Sequence, residues 1–317
     1  MYFVKLIIFS FILLISLYAP YKAFIDHVPQ NTNKVVTIEK GYTINEIFSL
    51  FVPINFVNKL IIRVYSHFDD LFLIQSGEYQ VGYKSVSEIV AEMKSGKTII
   101  HKLKINEGIT IYDLEKLITD SHLINDCSYL KCIQTDYPFK EGILYPDTYF
   151  YKKGMNASEI LIKSYKRLQN FLNNKIENTS YPTSLNEEEI LILASIIEKE
   201  AGNDNEKNKI AGVFLKRLDL GMKLQADPTI IYGLLPNFDG DIKKSDILDK
   251  NNKYNTYMIN GLPPSPISIS SITSINASIE ARPGEYLFFV ADSPNSHYFS
   301  KTYDEHLEKI NDLGLNK

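Results

Sequence analysis

Apolar and polar positions fall into blocks of different period along this chain. Residues 1–24, MYFVKLIIFSFILLISLYAPYKAF, are apolar almost throughout, with Lys5 and Lys22 as the charged positions. A helix of roughly 20 apolar residues spans a bilayer, so the block predicts a transmembrane anchor over 6–24 behind a short end at 1–5. The polar, proline-containing run DHVPQNTN then reads as a linker within 25–34. Short β-branched runs follow at 35–38, 78–81 and 102–105, each succeeded by a helix start. Thr43 with Glu46, Ser85 with Glu88, and Thr110 with Asp113 have the three-residue spacing of a capping box. A strand–turn–helix unit therefore repeats, and predicts a small α+β module over 35–105.

From about 141 onward helical periods dominate. An amphipathic helix is predicted over 157–172 and an apolar one over 185–200, opened by Ser184 and stopped at Gly202. The next helix, 204–218, carries Ile210, Val213, Phe214 and Leu218 on one face and ends at Gly221. A polar loop follows with Gln225, Asp227, Thr229 and Tyr232, and a second irregular loop covers 254–266. A short helix over 271–281, a buried strand over 286–291 and a polar helix from Tyr303 complete the pattern. The fold class read from this is α+β: one N-terminal transmembrane helix, a small module, and a larger helix-rich domain over 106–317.

Composition removes several classes of function. The net charge of −4 over 317 residues, without a basic stripe, argues against a nucleic-acid partner. The six histidines form no i, i+4 pair, and no HExxH, GxSxG, P-loop or Rossmann glycine pattern occurs, so no metal or cofactor is called for. His297, beside Tyr298 and Phe299, reads as structural, with a place in a cleft as the alternative. Cys127 and Cys132 could form a local disulfide in an exported chain or remain free thiols. Tyr21 two positions before Ala23 makes a poor cleavage site, so the apolar block reads as an uncleaved anchor with the Lys5 end inside. A cleaved signal peptide is the alternative, and both readings export the body of the chain.

The chemistry concentrates at Glu198 and Glu200. Two helical residues two apart point about 200° away from each other, so one site cannot take both. Glu200 borders the stripe of Leu193 and Ile197, whereas Glu198 lines up with Leu191 and Ala194. Both lie in a last turn, where the negative end of the helix dipole disfavours a carboxylate and raises its proton affinity. A glutamic acid kept protonated near neutral pH can donate to a leaving oxygen. The plain alternative is two solvated charges paired with Lys199 or Lys209.

These residues belong to long ordered motifs. ASIIEKEAG, VFLKRLDLGMKLQADPTIIYGL, YNTYMINGLPPSPIS, YLFFVAD and HYFS, with GILYPDTYFY ahead of them, closely resemble the endolytic murein transglycosylases, the MltG or YceG-like family. The Gly-x-Thr phrases at Gly41 and Gly108 resemble the start of a LysM, a small glycan-binding module. The resemblance implies a protein anchored in the inner membrane, its catalytic part facing the periplasm, that cuts peptidoglycan strands internally at the MurNAc–GlcNAc bond. It makes Glu200 the catalytic acid and sets Gln225, Asp227, Thr229, Tyr254, Asn255 and Tyr257 around the glycan cleft; Tyr232 and Glu198 complete the substrate-binding set. Ser265 departs from the family, which often has glycine there. The implied mechanism uses one carboxyl group: Glu200 protonates the glycosidic oxygen, then serves as base toward the C6 hydroxyl of the same sugar, closing a 1,6-anhydro ring. Asp227 then caps its turn rather than acting as a nucleophile. Competing readings are a hydrolysing muramidase and a non-catalytic glycan-binding scaffold, and cell-wall synthesis proteins are the implied protein partners.

Overall fold

The computed structural model describes residues 2–30, 35–180 and 183–315. The chain divides into two compact units, Met1–His101 with Phe150–Met155, and Lys102–Tyr149 with Asn156–Lys317. The first begins with helix α1 (Tyr2–Ile25) and continues through β1 (Val35–Ile38), α2 (Ile44–Ser49), α3 (Phe56–Phe68), β2 (Gly77–Gln80) and α4 (Val86–Ser95). β1 and β2 pair antiparallel, with Val36 opposite Tyr79. The capping boxes at Thr43–Glu46 and Ser85–Glu88 are both formed. Phe24, Phe48, Ile62, Tyr65, Tyr79, Ile89 and Met93 share one core, so the last turn of α1 is built into the unit.

Sequence pattern alone misses α3. Its inner face carries the buried Ile62 and Tyr65, and Lys59, Arg63, Ser66 and His67 fall on one side at helical spacing, a period the sequence reading passed over. The segment read as a linker is partly held: Ile25 lies in α1, Pro29 is buried, and the carbonyl of His27 accepts from the Val86 N–H at 2.9 Å. Residues 31–34 of that reading lie outside the described residues. The anchor reading falls on α1, where the side chains of Leu6, Ile8, Leu13, Leu14 and Leu17 among others also lie outside them. Among the described residues no helix is long and apolar enough to cross a membrane.

After α4 the chain runs through β3 (His101–Ile105), α5 (Ile111–Thr119), β4 (Asp147–Tyr151), α6 (Ala157–Asn178), α7 (Glu187–Glu200), α8 (Lys207–Asp219), α9 (Asp227–Leu234), α10 (Lys244–Ile247), α11 (Ile272–Glu280), β5 (Phe288–Ser293), β6 (Ser296–Ser300) and α12 (Tyr303–Asp312). β3 pairs with β4, and β5 pairs with β6 as a hairpin. The second unit is organised on α7, in which every residue from Ile190 to Ile197 is buried, with α11 and α8 packed against it. Burying each such aliphatic side chain stabilises by roughly 1.5–3 kcal/mol, so α7 is the chief apolar element of this unit. Thr110 and Asp113 cap α5 as expected. Cys127 and Cys132 are disulfide-bonded.

α6 runs on to Asn178 and α8 starts at Lys207, and other elements also depart from the sequence reading. α7 is opened by Asn186, not Ser184, because Asn186 and Glu189 form a full capping box two residues later. Ala201 in extended conformation ends it, and Gly202 serves another purpose: a Cβ there would stand 2.8 Å from the backbone of Asn295, the tip of the β5–β6 hairpin. The polar loop at 225–232 is mostly helical, since Pro228 sits in the first turn of α9, where a missing N–H does no harm. The strand expected to be buried at 286–291 appears as β5, only half-buried.

The α7 cap gives a direct test. Asn186→Ala removes the acceptor for the Glu189 N–H, bonded at 2.9 Å, and such losses are typically about 1 kcal/mol. Urea denaturation should show that loss at unchanged m-value; an unaltered midpoint would show that the cap does not hold α7.

Candidate active site

The end of α7 separates its two glutamates. Glu198 turns toward the start of α11, where it accepts from the Ser271 N–H at 3.0 Å, from the hydroxyls of Ser271 and Ser274, and from the Lys207 ammonium at 3.2 Å. Burial works against its charge, but those donors together hold the carboxylate below the usual range. Lys207 is itself buried and also donates to Ser271 Oγ at 2.8 Å and Thr273 Oγ1 at 2.9 Å, with Asp204 at 2.7 Å. Glu198 is thus bonded inside the fold, far better paired than a solvated charge, and Lys207 rather than Lys199 or Lys209 is its cation.

Glu200 points the other way, into a cleft of about 430 Å³. Among the described residues its carboxyl accepts no hydrogen bond. Burial, reinforced by the nearby charge of Asp227 and only partly opposed by Arg217, pushes it up to about 8. The helix dipole is common to both glutamates, so it does not decide their states; the donors around Glu198 and their absence around Glu200 do.

Five further elements, α8, α9, β5, β6 and α12, line the cleft. Asp227, first residue of α9, accepts from the Tyr257 hydroxyl at 2.6 Å, and burial and this bond raise the tyrosine's proton affinity. Gln225 lies beside it in left-handed conformation, φ +52°. Arg217, in the last turn of α8, is buried and donates through Nε to the Leu287 carbonyl at 2.8 Å and through Nη1 to that of Leu224 at 2.6 Å. Phe288 to Ala291 of β5, His297 of β6, and Tyr303 and His306 of α12 form the facing wall. His297 also bonds Glu206, N–H to Oε1 at 2.7 Å and Nδ1 to Oε2 at 2.9 Å, so it is structural and lines the cleft at once. β5 is half-buried because its outer residues face this space.

Of the nine residues expected at a site, Glu200, Gln225, Asp227 and Tyr257 converge on the cleft. Thr229 and Asn255 are fully buried beneath it. Thr229 Oγ1 donates to the Ala226 carbonyl at 2.6 Å and meets Thr256 Oγ1 at 2.9 Å; Asn255 Nδ2 donates to the carbonyls of Asp246, Ile247 and Asp249, each at 3.0 Å. Tyr232 and Tyr254, ring centroids 4.8 Å apart, belong to a separate cluster: Tyr232 donates to buried Glu141 at 3.0 Å, and Tyr254 meets Ser265 Oγ at 2.8 Å. Ser265, the departure from the family pattern, is thereby bonded in place. The sequence reading missed Arg217, although a charge on the apolar stripe of Ile210 and Phe214 was the available signal. It also missed Phe288, Tyr303 and His306, which no local pattern marks. Among the described residues no group of three or more His, Cys, Asp or Glu could hold a metal ion.

Comparison with known proteins follows the same motifs. A model of the YceG-like family matches residues 36–312. The chain is 26% identical over 257 residues to an endolytic murein transglycosylase of Bacillus subtilis, covering 73% of this chain and 71% of that protein. It is 25% identical to an endolytic murein transglycosylase of Streptococcus pneumoniae, over 96% of this chain and 64% of that protein. A crystal structure of a yceG-like protein from Listeria monocytogenes superposes with a TM-score of 0.56 at 27% identity, over 88% of this chain and 99% of that one.

The raised Glu200 makes stability depend on pH. Its folded-state value of about 8 lies above the ordinary 4.5, so its favourable contribution is complete below the unfolded value and is lost as pH rises through the folded one. Glu200→Gln removes that dependence. The variant's melting temperature relative to the parent should climb by several degrees between about pH 5 and about pH 9. Glu141, pushed up to about 7 by burial, is present in both proteins and cancels. A pH-independent difference would mean that Glu200 is not held protonated.

Proposed function

The chain belongs to the YceG-like family, and from that premise we propose that it is a peptidoglycan lytic transglycosylase that cuts glycan strands internally at the MurNAc–GlcNAc bond. The observation that carries the reading is the Glu200 carboxyl, withheld from hydrogen-bond donors in an open cleft and pushed up to about 8. Such a group is protonated at neutral pH and can donate to a glycosidic oxygen. As the bond breaks, positive charge develops on the MurNAc ring, and Glu200 is left as a carboxylate beside Arg217. It then takes the proton of the C6 hydroxyl, whose oxygen closes on C1 to give a 1,6-anhydro end. No water enters, so no second catalytic carboxylate is required. Asp227, bonded to Tyr257, raises the proton affinity of Glu200 rather than attacking the sugar.

The same reading makes α1 a single-pass anchor in the inner membrane, with the catalytic part facing the periplasm. Its support is the run of large apolar side chains exposed along α1, Val4, Ile7, Phe9, Phe11, Ile12, Ile15 and Tyr18, before Phe24 enters the folded unit. At 1.5 Å per residue a helix of this length reaches about 36 Å, against roughly 30 Å of hydrocarbon. The small α+β first unit is read as LysM-like and glycan-facing.

Two experiments test these assignments. Purified peptidoglycan digested with the parent should release fragments ending in 1,6-anhydroMurNAc, scored by mass spectrometry. Glu200→Gln should lose about 10²–10⁴-fold or more in rate, whereas Glu198→Gln should chiefly lower stability and leave much of the activity in the folded fraction. Reducing ends in place of anhydro ends would make the protein a muramidase, and no product from the parent would make it a scaffold. For the anchor, the chain should remain at full length in carbonate-washed membranes; a soluble mature form beginning near residue 24 would overturn it.

A further inference from the structure

The outer face of α3 is unusual for a protein surface. Phe56, Val57, Leu60, Val64 and Phe68 are all exposed there, Phe56 at 85% and Phe68 at 77%. At 100° per residue they cover a sector of about 120°, which also takes in exposed His67 and lies away from the buried Ile62 and Tyr65. Phe72 and Leu73 are exposed in the 3-10 turn that packs on α3. An apolar patch of this kind marks a contact surface. Lys59 and Arg63 edge it, one turn apart, and α3 contains no acidic residue. The acids nearest in sequence are Asp69, which Lys94 engages at 2.7 Å, and Asp70. Beside the basic edge runs a groove of about 350 Å³ lined by Ile44, Asn45, Phe56, Leu60, Lys59 and Arg63.

The position of α3 says what covers this face. The last turns of α1 pack against the buried side of α3, where Tyr21 lies edge-on to Tyr65 with ring centroids 6.2 Å apart, and against α2, where Phe24 stacks on Phe48 at 6.1 Å. The exposed apolar side chains of α1 extend to Tyr18, one turn before that contact. If those side chains sit in hydrocarbon, the stretch from Tyr18 to Phe24 rises roughly 9 Å, comparable to the headgroup layer of roughly 5–8 Å on each side. A helix with an apolar face and a basic edge held at that depth has the chemistry of an interfacial helix. We propose that the outer face of α3 is embedded in the headgroup region of an anionic bilayer, clamping the first unit to the membrane surface beside the anchor. The inference rests on reading α1 as an anchor. The apolar side chains enter the acyl boundary, while Lys59 and Arg63 meet lipid phosphates.

The test uses the full chain in vesicles of phosphatidylcholine with phosphatidylglycerol. Its native cysteines are paired, so Leu60→Cys and Asn173→Cys, the latter exposed on α6, each give one labelling site. A polarity-sensitive dye at position 60 should be quenched by doxyl lipids and protected several-fold from aqueous iodide relative to position 173. Adding Lys59→Glu and Arg63→Glu should weaken the lipid quenching several-fold. Flotation with the vesicles tests the anchor separately. A chain that does not float overturns the anchor and this inference together. A chain that floats with a water-accessible label at position 60 overturns the inference alone. So does a label shielded from both quenchers, which would mean that protein, a second copy or another partner, covers α3.

Discussion

Holding the Glu200 carboxyl, half-buried at the edge of an open cleft, clear of hydrogen-bond donors among the described residues is the constraint around which the second unit is arranged. A carboxyl group in that state favours its neutral form, and only a site without competing donors can hold it there. α7 makes this possible because it is buried on every side from Ile190 to Ile197 and delivers its half-buried last turn to the wall of an open cleft. Glu198 is the internal comparison. Two residues earlier in the same turn, it receives two hydroxyls, a backbone N–H and the Lys207 ammonium, and its carboxylate is favoured instead. One helix end therefore presents an acid on one face and a structural anion on the other.

In the mechanism proposed above, the opposed charges near Glu200 suit one group to both proton transfers. Asp227 favours the protonated form, as proton donation requires, and Arg217 favours the carboxylate left afterwards. Arg217 is fixed by the carbonyls of Leu287 and Leu224, and Asp227 by the Tyr257 hydroxyl, so neither must reorganise when the proton moves. Burial lowers the proton affinity of Arg217, yet a guanidinium starts so high that it stays charged. Charges of both signs near the carboxyl hold its proton affinity near neutral pH, where the proposed acid and base roles are both accessible.

Much of this was legible in the sequence where chemistry is local. The capping boxes at Thr43, Ser85 and Thr110, the apolar α7 and the divergence of Glu198 from Glu200 all follow from spacing within one or two turns. What stayed hidden depends on distant partners. Nothing near Glu198 in the chain announces Ser271 or Ser274, so the dipole argument treated both glutamates alike. β6 was not read, and β5 was read as a buried strand, because a strand lining a cleft loses the plain inside–outside alternation. α3 was missed for another reason: its polar side, Lys59, Arg63, Ser66 and His67, is legible, but no capping box marks its start.

The motif residues that do not reach the cleft carry a related lesson. A floor built from the chain between Gln225 and Tyr257 has no sheet ladder to satisfy its backbone, and buried carbonyls without partners would destabilise it. Asn255 gathers three such carbonyls with one amide and accepts from the Tyr257 N–H at 3.0 Å. Thr229 and Thr256 join the start of α9 to the same loop. These contacts fix Asp227 relative to Tyr257, and through Asp227 they reach Glu200. Polar residues that a motif presents together thus divide by burial: the exposed ones face the space where a substrate fits, and the buried ones hold loop backbone rigid enough for a charge to keep its place.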